Sequence, residues 1–292
     1  MMRPELVVDS RCVIGEGPVW DSASGKLYFI DNRTWRLYCW NGSEIENTMY
    51  FDKNVGFVVV REGGGLVAGL KDGYYFVDFD DPEPKTAALI KGKVPERFND
   101  GKVDPAGRLW GDTMPLSLDT GEGEVGPDSA VYCMDGDRKV KTMLEGVIQG
   151  NGLGWTKDAK KFYFIDTMRF CVQEFDYDIA SNTLSNGRVC VEIPQEVGIP
   201  DGMTVDDEGM IWVALWGGHA VMRYDPATGA LLERVEIPAP NVTSCCFGGE
   251  KLDELYITTA SYGTDMEQYP HAGGVFKIRP GVTGQPSYRF KG

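Results

Sequence analysis

The sequence predicts an all-β protein that folds as a six-bladed β-propeller around a central channel. No stretch has a sustained helical period, and short runs of Val, Ile, Phe, Tyr and Trp alternate with clusters of Gly, Asp and Asn, which is typical of many short strands. These runs recur at a nearly fixed spacing, and each repeat has room for about four short strands, as in a propeller blade. A β-sandwich uses similar strands but has no reason to repeat one pattern in a single frame. We therefore expect a single domain over residues 1–292.

Six segments align on a position that opens each repeat. The opening residues, in chain order, are Glu16, Gly56, Asn99, Asn151, Asp201 and Thr243. The residue four positions after each opening is apolar: Trp20, Val60, Val103, Trp155, Val205 and Phe247. Successive openings lie 40, 43, 52, 50 and 42 residues apart, and 49 residues follow the last one. Because one repeat of this size cannot bury both of its faces, we expect all of them to pack into one ring.

The alignment also predicts a ring of polar side chains. The innermost strand of each blade faces the propeller axis, so the opening positions should face one another across the channel. Asn151-Gly152 and Asp201-Gly202, taken alone, are common turn pairs. Glu16, however, is a poor turn residue, and a turn interpretation does not explain why four polar side chains share one register.

A hard cation would account for this ring. Two carboxylates and two amides that converge in a channel are costly to leave unpaired. Ca²⁺ takes about six to eight oxygen ligands and tolerates irregular geometry. Glu16 and Asp201 would balance its charge, and Asn151 would add a neutral oxygen, so the sequence predicts a metal-binding channel. A structural polar plug is the alternative that the spacing leaves open.

Composition argues against several classes of partner. The chain has 44 acidic and 29 basic residues, a net charge of −15 and no dense Lys/Arg block, which argues against nucleic acid and anionic membranes as partners. No apolar run reaches the roughly 20 residues of a membrane-spanning helix, and no secretory signal is expected. The seven cysteines are scattered, so we expect reduced thiols and a cytoplasmic protein. The adjacent Cys245 and Cys246 are expected to pack on opposite faces of one strand.

Competing catalytic motifs are weak. His219 and His271 are the only histidines, and neither an H-E-x-x-H nor a phosphate-loop motif is present. This argues against the usual zinc site and against a Ser-His-Asp hydrolase, while His219 as a lone base stays open. Asp31 and Asp166 follow Phe-Ile pairs at strand ends and are expected to accept hydrogen bonds in turns. The Gly-rich stretch 116–128 is expected to form a loop over one mouth of the channel.

Motifs along nearly the whole chain resemble one known family. They are GEGPVW, RFNDGKVDPAGRLW, NGLGW, FDYD, PDGMTVDDEGMIWVA, TSCCFGG and AGGVFKI. The chain resembles the senescence marker protein (SMP-30), regucalcin and gluconolactonase family. It is more similar to the animal regucalcin-like branch, which includes luciferin-regenerating enzyme-like proteins, than to bacterial lactonases. The resemblance implies a six-bladed propeller that carries one divalent metal ion in its channel and hydrolyses sugar lactones such as gluconolactone.

The same resemblance implies roles for individual residues. Glu16 in GEGP, Asn151 in NGLGW and Asp201 in PDGM are implied as the metal ligands. Asp201 is also implied as the catalytic acid/base. Arg97 and Asn99 in RFNDG are implied as substrate-binding residues.

Two features leave the substrate contacts open. Similar family members often carry an acidic substrate contact three residues after the Thr-Met pair, where this chain has Ser117. Asp119 or another acid of the following loop is the candidate replacement, so Ser117 and Asp119 are both candidate lid or substrate contacts. Arg97 has the alternative of a surface ion pair with Glu96 or another acid.

The chemistry that we expect is hydrolysis of a small-molecule lactone, in which the metal polarises the carbonyl group and Asp201 assists the attack of water as general base. Attack by hydroxide at the metal, with Asp201 only orienting it, is the alternative. Ca²⁺ is the first candidate metal, and Zn²⁺, Mn²⁺ and Mg²⁺ also fit an oxygen-only site. A calcium-binding regulatory protein without a main catalytic role, an organophosphate hydrolase using the same site, and a protein-binding scaffold are the alternative functions. We expect a monomer or a small homo-oligomer.

Overall fold

The computed structural model describes residues 3–292 except the side chain of Pro82. Its strands form six antiparallel sheets of four strands each, and the innermost strands of neighbouring sheets contact one another around a closed ring. This arrangement is a six-bladed β-propeller, which confirms the predicted fold. Within the described residues, helical structure is limited to α1, Ser117–Thr120, and to two 3₁₀ turns, Thr167–Arg169 and Gln195–Val197.

The strands follow the predicted repeat. The first strand, β1, is Glu5–Val8. The first blade holds β2 to β5: Gly15–Asp21, Lys26–Asp31, Arg36–Trp40 and Ile45–Tyr50. The second holds β6 to β9: Val55–Val60, Leu66–Leu70, Gly73–Asp78 and Asp81–Leu89. The third holds β10 to β13: Glu96–Val103, Leu109–Pro115, Ser129–Met134 and Val140–Val147.

The remaining blades continue in chain order. The fourth holds β14 to β17: Gly150–Trp155, Lys161–Asp166, Cys171–Asp178 and Thr183–Glu192. The fifth holds β18 to β21: Ile199–Val205, Ile211–Trp216, Ala220–Tyr224 and Leu231–Glu236. The sixth holds β22 to β24: Asn241–Gly248, Glu254–Ala260 and Val275–Ile278.

The two ends of the chain close the ring. β1 pairs antiparallel with β24, with Leu6 opposite Phe276, and so becomes the outermost strand of the sixth blade. The sixth blade is therefore built from both ends of the sequence. Because its hydrogen bonds join residues far apart in the chain, the ring closes only when the whole chain is in place.

Each innermost strand carries a β-bulge at the predicted opening position. The hydrogen-bond register to the next strand shifts between Glu16/Val19, Val55/Phe57, Phe98/Gly101, Gly150/Leu153, Pro200/Met203 and Val242/Ser244. A bulge leaves its extra residue unpaired in the ladder and turns its side chain away from the regular alternation. The aligned opening positions therefore mark where all six innermost strands depart from regular pairing.

The Asn-Gly and Asp-Gly pairs lie inside strands, so the turn interpretation of these pairs is wrong. Gly152 belongs to β14 and Gly202 to β18, and neither has a positive φ. A Cβ atom on Gly202 would collide with the Ser244 Oγ atom of the next blade. Glycine is needed there because the innermost strands approach each other closely.

The C-terminal segment crosses the channel end opposite the cavity described below. Gln285 Nε2 donates a hydrogen bond to Trp155 O of the fourth blade at 3.2 Å. Phe290 N donates to Val60 O of the second blade at 2.9 Å, and the Phe290 side chain is fully buried. Residues 285–288 and the innermost strands enclose a small cavity of about 70 Å³ at this end. The segment thus joins the second and fourth blades, which are not neighbours in the ring.

Two further sequence predictions are confirmed, one for the cysteine pair of β22 and one for the two aspartates at strand ends. All seven cysteines are free and buried, and Cys245 and Cys246 belong to different core clusters on the two faces of β22. The Asp31 carboxylate accepts hydrogen bonds from the backbone N–H groups of residues 13, 14, 33 and 34, and the Asp166 carboxylate accepts them from residues 148 and 149. In the part of the chain that the structure describes, no helix has the length and hydropathy needed to cross a membrane.

The buried end of the chain gives a stability prediction. We expect Phe290→Ala to lower the free energy of unfolding by about 3–5 kcal/mol, because it removes a fully buried aromatic ring that joins the C-terminal segment to the core. The control is Tyr50→Ala, since Tyr50 is 65% exposed and its truncation should change stability by about 0.5 kcal/mol or less. Urea unfolding of both variants measures the difference. Equal midpoints would show that this segment does not support the fold.

Candidate functional site

The predicted polar ring lines a cavity of about 290 Å³ at one end of the channel. Four opening residues contribute side chains to it: Glu16, Asn99, Asn151 and Asp201. Gly56 has no side chain to contribute. The Thr243 hydroxyl donates to Gly15 O and is fully buried outside the cavity lining. The structure therefore brings together the four polar positions of the ring and leaves the other two apart.

Glu16 lies directly before the bulge of β2, and its carboxylate accepts a hydrogen bond from the Gly17 N–H at 2.9 Å. Burial raises the pKa of Glu16 well above its ordinary value, and the nearby carboxyls of Asp201 and Asp100 raise it further. The Gly17 N–H and the Arg97 guanidinium act in the opposite direction. The net result is a carboxyl group that holds its proton to unusually high pH.

Asp201 lies in the bulge of β18 and shares this environment. Burial raises the pKa of its carboxyl well above the ordinary value, the Asp100 carboxyl raises it further, and a hydrogen bond with the Asn151 side chain lowers it. The pKa of Asp100 is itself raised by burial, which Lys102 and the Gly101 N–H partly offset. Glu16 and Asp201 thus share one cavity, with the Asp100 carboxyl near enough to repel both, and protons or a cation must reduce this repulsion.

The amide of Asn151 is held by a chain of hydrogen bonds. Its Nδ2 atom donates to Thr167 Oγ1 at 3.1 Å, and the Thr167 hydroxyl donates to Pro200 O at 2.9 Å. Pro200 directly precedes Asp201, so Thr167 joins the two neighbouring ring positions. Within residues 3–292 no donor is bonded to Asn151 Oδ1, which leaves this oxygen free to serve as a ligand.

Arg97 is buried, and its partner is not Glu96. Its Nε and Nη2 atoms donate to the two carboxylate oxygens of Asp119 at 2.6 and 3.0 Å. Nη1 donates to Phe98 O and to Asn99 Oδ1, both at 3.0 Å. The Glu96 carboxylate instead accepts hydrogen bonds from Thr113 and Tyr132. The alternative is thus wrong for Glu96 and for the surface position, but Arg97 does form an ion pair with another acid, Asp119, in the cavity lining.

The 116–128 segment reaches the cavity through α1. Leu118 and Asp119 line the cavity, and Asp119 is held there by its two hydrogen bonds from Arg97. The Ser117 hydroxyl donates to Glu124 O, and Ser117 is not part of the cavity lining. Of the two candidate contacts, the structure thus places only Asp119 beside the ring residues.

Sequence reasoning missed Thr167, although an internal repeat could have revealed it. The first blade contains KLYFIDN and the fourth contains KFYFIDT, which end at Asn32 and Thr167. Both final residues line the cavity, and each donates a hydrogen bond to the carbonyl group that precedes the next opening position: Val55 O for Asn32 and Pro200 O for Thr167. Asp100 and the apolar residues of the mouth had no comparable signal.

The residues that could hold a metal are Glu16, Asn151 and Asp201. In the range 3–292 no group of three or more His, Cys, Asp or Glu side chains is arranged to bind a metal ion. The set at the ring differs from such a group because it combines two carboxylates with an amide oxygen, and these hard oxygen donors suit Ca²⁺ or a similar cation. The His219 ring packs against Tyr269 and does not line the cavity, so the geometry gives no support to His219 as a base.

Known proteins are similar to this chain over its full length. A family model described as SMP-30/Gluconolactonase/LRE-like region matches residues 14–261. Regucalcin of Danio rerio is 40% identical over 297 residues, which cover 100% of this chain and 99% of that protein. A solved luciferin-regenerating enzyme has a TM-score of 0.91 at 32% identity and is covered completely, as is this chain. A regucalcin of Agrobacterium tumefaciens, described as a calcium-binding protein, has a TM-score of 0.89 at 24% identity over 99% of this chain and 98% of that chain, and this likeness concerns the fold alone.

The raised carboxyl pKa values predict a pH-dependent stability. With divalent cations removed by chelation, the folded state holds protons on Glu16 and Asp201 at pH values where the unfolded chain has lost them. The free energy of unfolding should therefore fall as pH rises from 5 to 8, by at most about 1.4 kcal/mol per pH unit for each proton involved. Glu16→Gln should make this fall smaller, because it removes one titrating group.

Urea unfolding at a series of pH values in EDTA measures this effect. The control is Glu44→Gln, which neutralises an exposed carboxylate outside the cavity and should leave the pH profile as in the wild type. A Glu16→Gln profile parallel to that of the wild type would contradict the assignment.

Proposed function

The chain belongs to the SMP-30/gluconolactonase/LRE-like family, and we propose that it is a hydrolase that opens sugar lactones with the help of a divalent metal ion. The observation that carries the proposal is the convergence of Glu16, Asn151 and Asp201 beside the Arg97–Asn99–Asp119 group in one cavity. The family description, which includes gluconolactonases, agrees with this chemistry.

The donor set fits a hard divalent cation. Glu16 and Asp201 would supply two negative charges, Asn151 Oδ1 would supply a neutral oxygen, and the remaining positions would be open to water or substrate. A bound cation would supply Lewis-acid polarisation of the lactone carbonyl group. Attraction to the cation would offset the burial and the repulsion that together raise the pKa of both carboxyls.

The third blade would orient the sugar. Arg97 uses four of its five N–H groups on Asp119, Phe98 O and Asn99, so its main effect is to fix the positions of these neighbours. The Asp119 carboxylate keeps lone pairs that can accept hydrogen bonds from sugar hydroxyls. Holding the ring in one orientation makes the attack of water effectively intramolecular.

Asp201 would move the proton. Its carboxylate takes a proton from the attacking water while the water oxygen bonds to the carbonyl carbon. When the bond between that carbon and the ring oxygen breaks, the same proton passes to the ring oxygen, which becomes a hydroxyl group. Proton transfer by a positioned carboxylate is general base catalysis and typically contributes about 100- to 10,000-fold to the rate.

Activity of variants tests the proposal. We expect the chelated protein to lose hydrolysis of D-glucono-1,5-lactone and to regain it with Ca²⁺, Mn²⁺ or Zn²⁺. Asp201→Asn should lower kcat by about 100-fold or more, because it removes both a charge and a base. Asp137→Asn, which changes an aspartate whose side chain is 83% exposed, should behave as the wild type. Initial rates by pH-stat titration measure all three proteins.

Two outcomes would contradict the proposal. Undiminished hydrolysis by Asp201→Asn would remove Asp201 from the reaction. Binding of Ca²⁺ by calorimetry without turnover of any lactone would favour a calcium-binding regulatory protein instead.

Thr167 gives a second prediction, about cation affinity. Thr167→Val keeps the shape of the side chain but removes the hydroxyl group that holds the Asn151 amide, so Ca²⁺ should bind about tenfold more weakly. Thr167→Ser keeps the hydroxyl and should bind Ca²⁺ as the wild type does. The control is Thr48→Val on the exposed face of β5. Isothermal titration with Ca²⁺ compares the variants, and equal affinity of the valine and serine variants at position 167 would refute the role of the hydroxyl.

A further inference from the structure

One part of the cavity lining carries large exposed apolar side chains. Four hydrophobic residues line it together, and we call them the apolar wall: Met168, Ile199, Trp216 and Tyr262. Tyr262 is 53% exposed, Met168 44% and Ile199 37%. The centroids of the Trp216 and Tyr262 rings lie 6.4 Å apart, so the wall presents adjoining aromatic surfaces at the mouth. Large apolar side chains that stay exposed around a concave site mark a place where a ligand is bound.

The apolar wall spans the fourth, fifth and sixth blades, whereas the polar group belongs to the third. Met168 follows β15 in the fourth blade, Ile199 and Trp216 are at the ends of β18 and β19 in the fifth, and Tyr262 follows β23 in the sixth. Arg97, Asn99 and Asp119 belong to the third blade and its α1 insertion, and the third blade is opposite the sixth in a ring of six. Met114 and Leu118 of the third blade and its insertion also line the cavity, so a molecule that fills it contacts both hydrogen-bonding groups and hydrocarbon.

A bare sugar lactone has no hydrocarbon substituent to place against the apolar wall. Its hydroxyl groups are distributed around the ring, and those that face the apolar wall would lose water without gaining a protein partner, which is costly. The wall is built from side chains that suit hydrocarbon: two aromatic rings, a branched aliphatic chain and a flexible thioether.

We infer that the substrate is a lactone whose ring carries a hydrocarbon substituent, and that the apolar wall binds this substituent. The inference rests on the proposed lactone hydrolysis and names the class of lactone. The lactone ring is placed at Glu16, Asn151 and Asp201, and the substituent extends over Trp216 and Tyr262 towards the mouth. The wall is continuous with the ring cavity, so one molecule occupies both.

A series of six-membered lactones tests the inference. Hydrolysis of δ-valerolactone, δ-octalactone and δ-decalactone by the Ca²⁺-loaded protein should show kcat/KM rising with the side chain, by at most about fourfold for each buried methylene, which corresponds to about 0.8 kcal/mol. We expect a total rise of at least tenfold from the first to the last. Trp216→Ala and Tyr262→Ala should flatten this profile, whereas Tyr50→Ala, which truncates an exposed aromatic residue of β5, should keep it.

Binding separates failure of the inference from failure of the proposed function. The readout is calorimetric titration with the six-membered lactam that carries the same five-carbon chain as δ-decalactone and resists hydrolysis. Tighter binding than to the unsubstituted lactam, lost in Trp216→Ala, supports the wall as a hydrocarbon subsite even if no lactone is turned over. Turnover of gluconolactone with a flat chain-length profile overturns the inference and leaves the proposed function standing.

A second copy of the chain is the competing occupant of the wall. Sedimentation over a range of protein concentrations tests for it. A dimer that Trp216→Ala dissociates, together with a flat chain-length profile, would assign the wall to self-association and overturn the inference.

Discussion

The structure depends on one geometric constraint, the interruption of the six innermost β-ladders at the same register. A regular strand would point its side chains alternately into the two neighbouring blade interfaces, and none of them would be directed to the axis. The bulges at the aligned positions release Asn99, Asn151 and Asp201 from that alternation, and with Glu16, which directly precedes the bulge of β2, they bring four polar side chains to one cavity. The glycines that follow two of these residues then allow the strands to approach closely enough to enclose the site.

That enclosure has an electrostatic cost. Glu16, Asp100 and Asp201 lie where burial raises the pKa of each carboxyl, and mutual repulsion adds to the effect for Glu16 and Asp201. Contacts elsewhere offset this destabilisation. The β1–β24 pairing closes the sixth blade, and the C-terminal segment forms hydrogen bonds to the second and fourth blades. A bound cation would reduce the repulsion between these carboxylates. The arrangement that lowers the stability of the metal-free fold would therefore favour cation binding.

The cavity is asymmetric because the blades differ in their connections and not in their sheets. The third blade adds α1, which brings Asp119 to Arg97, whereas the fourth, fifth and sixth blades end strands with apolar side chains. A repeated scaffold thus supplies the ring, and unrepeated loops supply the polar and apolar sides. In the proposed hydrolase, the ring would therefore carry the chemistry and the loops would select the substrate.

The sequence by itself determined the six blades, the register of the ring and the turn roles of Asp31 and Asp166, because strand periodicity and turn chemistry are local and repeat along the chain. Only the tertiary structure decided which residues outside the repeat reach the cavity. Thr167, Asp119 and Trp216 come from connections of different blades and meet only when the ring closes. Asp201-Gly202 shows the same limit: locally it is a turn pair, but its glycine is required by Ser244 in the next blade, a contact that no local pattern contains.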